Sequence, residues 1–196
     1  MMKLQSYVCG EWAAGEGIDE ELFNAYNGDK IGEVSSAGLD FAAIMDYGRN
    51  VGGPNLRRMS FHERGRMLKT LAQHLMAEKA KFYELGPWTG ATKIDSWIDI
   101  EGGIGTVFTY ASKGRREASD QPFYIDGGME QLSREGTFIG QHICLPLEGV
   151  AVHINAFNFP VWGMLEKLAP TLLAGVPAVV KPAVPGSYLS ERVVRS

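Results

Sequence analysis

The sequence has 196 residues, of which 45% are hydrophobic, and this is enough to bury a core of ordinary size. Its 19 Lys and Arg against 23 Asp and Glu give a formal net charge of -4, without long runs of one sign. This charge balance argues against nucleic acid and against an acidic membrane surface as partners. No apolar run reaches the ~18 residues needed to span a bilayer, and the N-terminal residues lack an apolar signal sequence. These properties predict a cytoplasmic protein without a membrane partner.

The two cysteines, Cys9 and Cys144, are far apart in the sequence and belong to no CxxC or Cys/His pattern. Each lies in an alternating or apolar run typical of a strand, so we expect two buried, unreactive thiols. The four histidines have no Glu or Cys partner at ligand spacing, and no metal site is predicted.

Short strands followed by a first helix are predicted for the N-terminal region. Short apolar runs separated by Gly-containing turns predict an edge hairpin region between Gln5 and Val34. Leu39 to Val51 has helical character, and Gly52-Gly53-Pro54 is expected to end that helix. Four nearby arginines are predicted to form a solvated helix face, in preference to a phosphate-binding patch. They are Arg57, Arg58, Arg64 and Arg66.

Two longer helices are predicted next. Ser60 and Glu63 form the pattern of a capping box, and the apolar residues that follow at helical spacing predict a helix from about Phe61 to Tyr83. A second helix is predicted from Thr92 to Ser112. The glycines at its centre have neither the third glycine nor the preceding strand of a dinucleotide fingerprint, so close helix packing explains them better. They are Gly102, Gly103 and Gly105.

Residues 123–146 have a different composition from the helical region before them. Two apolar segments, Phe123 to Ile125 and Phe138 to Ile139, flank several glycines. This pattern predicts a projecting antiparallel ribbon.

Residues 147–196 contain the clearest supersecondary unit. A strand from Gly149 to Ile154, a helix from Trp162 to Leu173 and a strand from Val176 to Val180 form a βαβ pattern, with Gly175 capping the helix. Ser187 is predicted to cap a last helix. A doubly wound sheet needs more strands than this chain supplies, so we expect the front part of a longer protein.

Two polar residues mark the carboxyl ends of the two predicted parallel strands. Asn158 follows the first strand, Lys181 ends the second, and this edge is where open α/β sheets bind ligands. The amide of Asn158 could stabilise an oxyanion, or it could satisfy backbone groups in an Asx-turn. Lys181 could bind a ribose or phosphate, or it could be a solvated strand-end lysine. Glu166, on the intervening helix, is predicted to be a surface charge.

The segment from Pro146 to Pro160, followed by Lys181-Pro182, resembles the aldehyde dehydrogenase superfamily. Members usually have Pro-Trp-Asn-Phe-Pro in this loop. Ala156 and Phe157 replace the usual Pro and Trp, as is characteristic of a subgroup. Over nearly all of its length the chain is similar to the dehydrogenase part of the bifunctional ring-opening proteins of phenylacetate degradation.

This resemblance implies an α/β fold, namely the incomplete N-terminal part of an aldehyde dehydrogenase. Residues 1–122 would be the N-terminal part of a Rossmann-like coenzyme domain. Residues 123–146 would be an oligomerisation ribbon, and residues 147–196 the first βαβ unit of the coenzyme-binding sheet. The full-length protein is expected to be a homo-oligomer.

The resemblance also implies residue roles. Asn158 would donate its amide to a thiohemiacetal oxyanion, and Lys181 would contact the adenosine ribose of the cofactor. The remaining cofactor contacts would come from neighbouring residues, namely Ile154, Asn155, Ala156, Phe157 and Pro182.

In that subgroup a CoA-linked semialdehyde is oxidised to the acid with NADP+, and a fused hydratase-like domain opens an oxepin ring. Relatives usually have Glu three positions after the lysine, where this chain has Val184. Loss of that carboxylate removes repulsion of a 2′-phosphate and favours NADP+ over NAD+.

The family's nucleophilic cysteine and general-base glutamate lie beyond Lys181-Pro182, where this chain has no equivalent, so the isolated chain is expected to be inactive. Three other functions stay open. They are a non-catalytic module for nucleotide binding or subunit assembly, a dehydrogenase of the benzoate-CoA pathway, and a generic semialdehyde dehydrogenase.

Overall fold

A computed structural model describes residues 1–196. The strands are short, and their bounds are β1 Met2–Lys3, β2 Ser6–Val8, β3 Glu11–Ala13, β4 Glu20–Phe23, β5 Lys30–Val34, β6 Tyr124–Gln131, β7 Ile139–Cys144, β8 Ala151–Ile154 and β9 Ala178–Lys181. The α-helices are α1 Phe41–Tyr47, α2 Gly53–Arg58, α3 Phe61–Tyr83, α4 Lys93–Trp97, α5 Gly103–Arg116, α6 Pro160–Leu173 and α7 Ser187–Arg195. π-helical turns at Gly48–Gly52 and Ile98–Gly102 join α1 to α2 and α4 to α5, and 3-10 turns lie at Gly86–Thr89 and Val184–Gly186.

The core lies among three helices, α3, α5 and α6. Their buried apolar residues pack together and include Leu68, Leu75, Ile104, Val107 and Leu165. Helix α7 adds Tyr188 and Leu189 to the same cluster, and the N-terminal region adds Leu4 and Leu22. No helix combines the length and the apolar character needed to cross a bilayer.

The strands form four separate small sheets. Strand β5 lies between β1, with which it is parallel, and β4, with which it is antiparallel. Strands β2 and β3 form the predicted edge hairpin, and β6 and β7 form the predicted antiparallel ribbon. Strands β8 and β9 are parallel and are joined through α6, which confirms the predicted βαβ unit.

Helix α3 matches its prediction in both bounds and cap. The Ser60 hydroxyl accepts a hydrogen bond from the Glu63 N–H, and the Glu63 carboxylate accepts one from the Ser60 N–H, which completes the capping box. The predicted helix from Thr92 to Ser112 is also present, as α4, a π turn and α5.

The prediction that Gly52-Gly53-Pro54 ends the first helix was wrong. The helical path continues through the π turn into α2 and ends at Arg58. Pro54 is the second residue of α2, directly after the π turn, and its lack of an N–H does not end the helical path. Ser187 is not the N-cap of α7 either, since Gly186 is the cap and the Ser187 hydroxyl donates to the Val184 carbonyl at 2.8 Å.

The prediction of buried cysteines was wrong for both residues, because Cys9 and Cys144 are exposed. Cys9 and Gly10 are the two central residues of the β2–β3 turn, with φ of 52° and 88°. Positive φ at both positions is typical of the two-residue hairpin turns that match strand twist. Cys144 ends a ribbon whose residues are almost all exposed.

The predicted solvated arginine face was wrong at Arg64. This side chain is fully buried, although its neighbour Arg66 is exposed. Its guanidinium donates to three backbone carbonyls in two segments, with Nε 2.7 Å from Leu173 O and Nη1 2.6 Å from Met59 O and 3.1 Å from Leu56 O. Arg64 therefore joins the end of α2, the start of α3 and the end of α6.

Candidate functional site

The carboxyl ends of β8 and β9 lie side by side. Ile154 is the direct partner of Lys181 in the parallel register, and the Asn155 N–H donates to the Lys181 carbonyl at 3.1 Å. The segment that leads from β8 to α6 carries Asn158. The structure therefore brings the Asn158 loop and Lys181 to one edge of the sheet, as the βαβ pattern predicted.

Residues of β8 alternate between an outer and an inner face. Val152 and Ile154 point outward and are 54% and 73% exposed, whereas His153 and Asn155 are buried. The loop that follows continues the outer surface, with Phe157 65% exposed. The site is an open, largely apolar ledge at the sheet edge, and Ala156 and Asn158 are exposed on it.

The side chain of Asn158 makes no hydrogen bond to the rest of the chain, although the residue is exposed within a turn. It does not form the Asx-turn that was the structural alternative to a binding role. Both amide N–H groups are consequently free to donate to a ligand.

Lys181 is exposed, and its ammonium lies 3.4 Å from the Pro182 carbonyl. No carboxylate lies within ion-pair distance of it. Its positive charge is therefore available to a hydroxyl-bearing or anionic ligand at this edge.

Asn155 differs from its exposed neighbours. It is 6% exposed, and neither its amide nitrogen nor its carbonyl oxygen has a partner in the chain. The Nδ1 of His153, on the same inner face, is unpaired as well, while its Nε2 lies 3.1 Å from the Thr171 hydroxyl. Burial and the nearby Lys167 lower the pKa of His153, which favours the neutral ring.

The first turn of α6 is capped by a residue from another helix. Asp99 accepts hydrogen bonds from the Val161 N–H at 3.1 Å and from the Trp162 N–H at 2.7 Å. The local N-cap, Phe159, supplies no side-chain acceptor, and Pro160 has no N–H. The sequence analysis did not identify Asp99, because no local pattern links it to a helix start 62 positions away.

Burial raises the pKa of Asp99 to about 6 from its ordinary 3.8, and the hydrogen bonds from Trp162 and Val161 offset only part of this effect. The folded protein thus binds the proton more tightly than the unfolded chain. Stability contributed by this group is complete below pH 4 and declines as the pH rises to about 6.

Two glycines allow α6 to approach the helix that carries Asp99. A Cβ on Gly103 would lie 2.9 Å from Trp162 Cα, and a Cβ on Gly102 would lie 2.6 Å from the Trp162 ring. This close approach confirms the packing interpretation at both positions. It does not hold at Gly105, where a Cβ would meet no atom within 4 Å.

Three other side chains lie on or just before α6. Glu166 is exposed and pairs with Lys167 at 2.8 Å, as expected for a surface charge. Phe159 and Trp162 pack against each other, with ring centroids 6.3 Å apart. Neither aromatic covers the exposed amide of Asn158.

Comparison with known proteins assigns the chain to a family. The model of the family described as "Aldehyde dehydrogenase family" matches residues 12–195. A 3,4-dehydroadipyl-CoA semialdehyde dehydrogenase of Aromatoleum evansii is 41% identical over 194 residues, which are 98% of this chain and 38% of that protein. The NADP(+) succinate-semialdehyde dehydrogenase of Escherichia coli strain K12 is 28% identical over 187 residues, which are 93% of this chain and 36% of that protein.

Solved structures agree on the fold. The crystal structure of an E. coli NADP-dependent enzyme superimposes with a TM-score of 0.79 at 23% identity and covers 98% of this chain. This chain covers 38% of that structure. The chain thus spans less than half the length of the relatives and structures that it matches, and it corresponds to the N-terminal part of their fold.

Proposed function

The chain belongs to the aldehyde dehydrogenase family, and we propose that it forms the N-terminal part of an enzyme that oxidises a CoA-linked semialdehyde to the acid with NADP+. The observation that carries the proposal is the exposed, unpaired amide of Asn158 beside the free ammonium of Lys181 at one sheet edge. We also propose that the protein is cytoplasmic, as the sequence predicts.

The substrate class is supported by the difference in identity between relatives. The relative named for a CoA-linked semialdehyde is 41% identical, whereas the succinate-semialdehyde dehydrogenase is 28% identical. Both matches cover more than nine-tenths of this chain, so the difference does not arise from the matched length. It favours a CoA-linked substrate over a generic semialdehyde, and we place the reaction in aromatic-compound degradation of the phenylacetate type.

In this proposal Asn158 stabilises negative charge on the substrate oxygen. Attack of a thiolate on the aldehyde converts its carbonyl oxygen to an oxyanion, and an oriented amide N–H lowers the energy of that state. Removing one such donor typically costs about 10²- to 10³-fold in kcat. Bound NADP+ would supply the acceptor for the hydride that leaves the former aldehyde carbon.

The thiolate itself would come from a part of the protein beyond these residues. Cys9 lies in the turn between β2 and β3, and Cys144 ends the ribbon, so neither belongs to the Asn158 loop. We therefore expect the 196-residue chain alone to form no NADPH from aldehydes. Aldehyde-dependent NADPH formation by the pure chain would contradict this expectation.

The residues at the sheet edge suit a cofactor with hydroxyl and phosphate groups. Lys181 offers an unpaired charge, and the neighbours Ile154, Ala156 and Phe157 offer an exposed ledge. Asn155 is a weaker candidate for direct side-chain contact because it is buried. Pro182 has no N–H, so it could contribute only its carbonyl and ring surface.

The NADP+ preference depends on Val184, whose half-buried side chain packs against the core and brings no charge to the site. Glu20 and Glu21 line the same surface opening as Val184, and Glu21 is paired with Lys30 at 2.6 Å. Glu20 is left as one unpaired carboxylate at this opening. The expected discrimination is therefore smaller than at an entirely apolar opening.

The function is tested in the complete protein that contains these residues. The coding sequence is read beyond Ser196, and the purified product is assayed for NADPH formation with a CoA-linked semialdehyde and with succinate semialdehyde. We expect a higher kcat/KM for the CoA-linked substrate and a loss of about 10²- to 10³-fold in kcat for Asn158→Ala. Full activity in Asn158→Ala, or equal use of both aldehydes, would contradict the proposal.

The cofactor preference is tested with Val184→Glu and with Val184→Ala as the uncharged control. We expect Val184→Glu to shift the ratio of the KM values toward NAD+ by at least about tenfold, equivalent to about 1.4 kcal/mol. Val184→Ala should leave the ratio unchanged. An enzyme that already prefers NAD+ before any change would refute the NADP+ assignment.

An assembly role for the ribbon, residues 123–146, is a second candidate that a specific observation favours. Almost every residue of β6 and β7 is exposed, and the exposed large apolar residues of the ribbon include Met129, Phe138, Ile139 and Ile143. Monomeric proteins seldom leave so many apolar side chains in contact with water. We propose that the ribbon contacts another subunit. Light scattering on Phe138→Ser tests this contact, with the exposed residue variant Arg134→Ser as the control.

A further inference from the structure

Asp99 connects the helix pair in the core with the loop that carries Asn158. We propose that Asp99 is a positioning residue, which fixes the first turn of α6 and thereby the place of the Asn158 amide. This inference rests on the proposed role of Asn158. Asp99 is buried, and it acts through the backbone of Val161 and Trp162.

The Asn158 loop is held at its two ends and free in between. At the strand end, the Asn155 N–H donates to the Lys181 carbonyl at 3.1 Å. At the helix end, both carboxylate oxygens of Asp99 accept from Val161, at 3.1 and 3.3 Å, and one also accepts from Trp162 at 2.7 Å. The Ser190 hydroxyl adds a longer bond of 3.4 Å to the Pro160 carbonyl, so the short hydrogen bond at the helix end comes from Asp99.

The residues at the helix end of the loop provide no side-chain cap for α6. Phe159 provides no capping side chain, and Pro160 is fixed in φ but donates no hydrogen bond. Val161 is fully buried, so its N–H would have no access to water if Asp99 were absent. An unpaired buried donor is unfavourable, and the turn would have to shift to satisfy it.

Packing makes Asp99 a rigid support. Gly103 lies one turn after Asp99 on the same helical path, and a Cβ there would lie 3.1 Å from the Trp162 nitrogen. The two helices thus meet backbone to backbone beside the hydrogen bonds. The turn before α7 also approaches, since a Cβ on Gly186 would lie 3.2 Å from Pro160 and 3.6 Å from the Phe157 carbonyl. The first turn of α6 is enclosed between these contacts, and a loss of the Asp99 hydrogen bonds is transmitted to the adjacent loop.

The magnitude of the effect is bounded by the role of Asn158 itself. A catalytic group displaced by about 1 Å can lose about 10²-fold in rate. We therefore expect Asp99→Ala to lower kcat by about tenfold to 10²-fold, less than Asn158→Ala, with little change in the dissociation constant of NADP+. A change confined to global stability would lower the melting temperature without lowering kcat per competent site.

A double-mutant cycle in the complete enzyme tests the connection. The kcat per active site is measured for the starting protein, Asp99→Ala, Asn158→Ala and the double variant, with active sites counted from the NADPH burst. If Asp99 acts through Asn158, Asp99→Ala costs at least about tenfold in the presence of Asn158 and less than about twofold in its absence. An equal loss in both backgrounds, or no loss in either, overturns the proposal.

Two further variants keep the test decisive. Asp99→Asn retains one acceptor oxygen and replaces Asp99→Ala in the cycle if the alanine protein does not fold. It should lose less activity than the alanine variant. Ser60→Ala is the matched control, because it removes the cap of α3 away from the site and should leave kcat unchanged. A loss of kcat in Ser60→Ala equal to that in Asp99→Ala would also overturn the proposal.

Failure of the proposed function gives a different result. An inactive complete protein, or full activity in Asn158→Ala, contradicts the function and not the positioning. The positioning is then read from amide hydrogen exchange across residues 155–162, which should become faster in Asp99→Ala and stay unchanged in Ser60→Ala. Equal exchange rates in Asp99→Ala and the starting protein overturn it independently of activity.

Discussion

Replacement of Arg64 by methionine should destabilise the protein more than any surface substitution. The guanidinium is fully buried and forms short hydrogen bonds to the carbonyls of Leu173, Met59 and Leu56, with a longer one of 3.5 Å to Pro122. Methionine keeps much of the length and apolar volume of the side chain but donates no hydrogen bond. The variant therefore isolates the polar contribution.

The size of the loss follows from the carbonyls left behind. A buried carbonyl without a donor costs about 1–3 kcal/mol, and the loss of Arg64 would leave two in this state, those of Leu173 and Met59, since the Leu56 carbonyl also accepts from the Met59 N–H. Arg64 has no carboxylate partner, and burial lowers the pKa of its guanidinium, so removing the charge recovers part of that cost. We expect a net loss of about 2–4 kcal/mol, a large share of the stability of an ordinary domain.

The measurement is urea unfolding followed by circular dichroism at a fixed protein concentration. Arg66→Met is the matched control, since Arg66 lies on the same helix but is exposed, and it should change the free energy of unfolding by less than about 0.5 kcal/mol. Arg64→Lys keeps the charge but replaces the planar guanidinium with a single ammonium group. Its free energy of unfolding should therefore lie between those of Arg64→Met and Arg66→Met. Equal stability of Arg64→Met and Arg66→Met would refute the assigned role.

Three further predictions concern other parts of the chain. The free energy of unfolding should fall by about 2 kcal/mol between pH 4 and about pH 6 through Asp99, and Asp99→Asn should lack this component in unfolding measured across that range. Gly103→Ala should lose about 1–3 kcal/mol because a Cβ would meet backbone 2.9 Å away, whereas Gly105→Ala, with nothing within 4 Å, should gain up to about 1 kcal/mol. Similar thermal melts of these two variants would count against the close packing. Cys9 and Cys144 should both react with Ellman's reagent in the native chain, and a count of thiols that rises only after denaturation would contradict their exposure.

Features encoded by neighbouring residues could be predicted from the sequence. The capping box at Ser60 and the apolar periodicity after it predicted both ends of α3. The alternation of apolar strands with a capped helix predicted the parallel β8–α6–β9 unit, and this unit placed the Asn158 loop beside Lys181. In each case the partners of the hydrogen bonds are close in sequence, or the periodicity of apolar residues indicates which face is buried.

Features that depend on distant partners could not be predicted in the same way. In the sequence, Asp99 is one of several acidic residues in a predicted helix. Only the tertiary structure places its carboxylate against the first turn of α6, where burial raises its pKa to about 6. Arg64 looked like a solvated charge because arginine usually is one, whereas its partner Leu173 lies 109 positions away. The cysteines looked buried because their strands were read as core strands, although no second layer covers the ribbon or the hairpin turn.

The sequence by itself determined the local elements of this protein and, through the segment from Pro146 to Pro160, its family. The tertiary structure alone decided which polar groups share a buried space, which thiols meet solvent and which residue supports the Asn158 loop. The physical reason is that helix and strand formation depend on interactions over a few residues. The burial of a charge depends on the whole set of segments that exclude water from it.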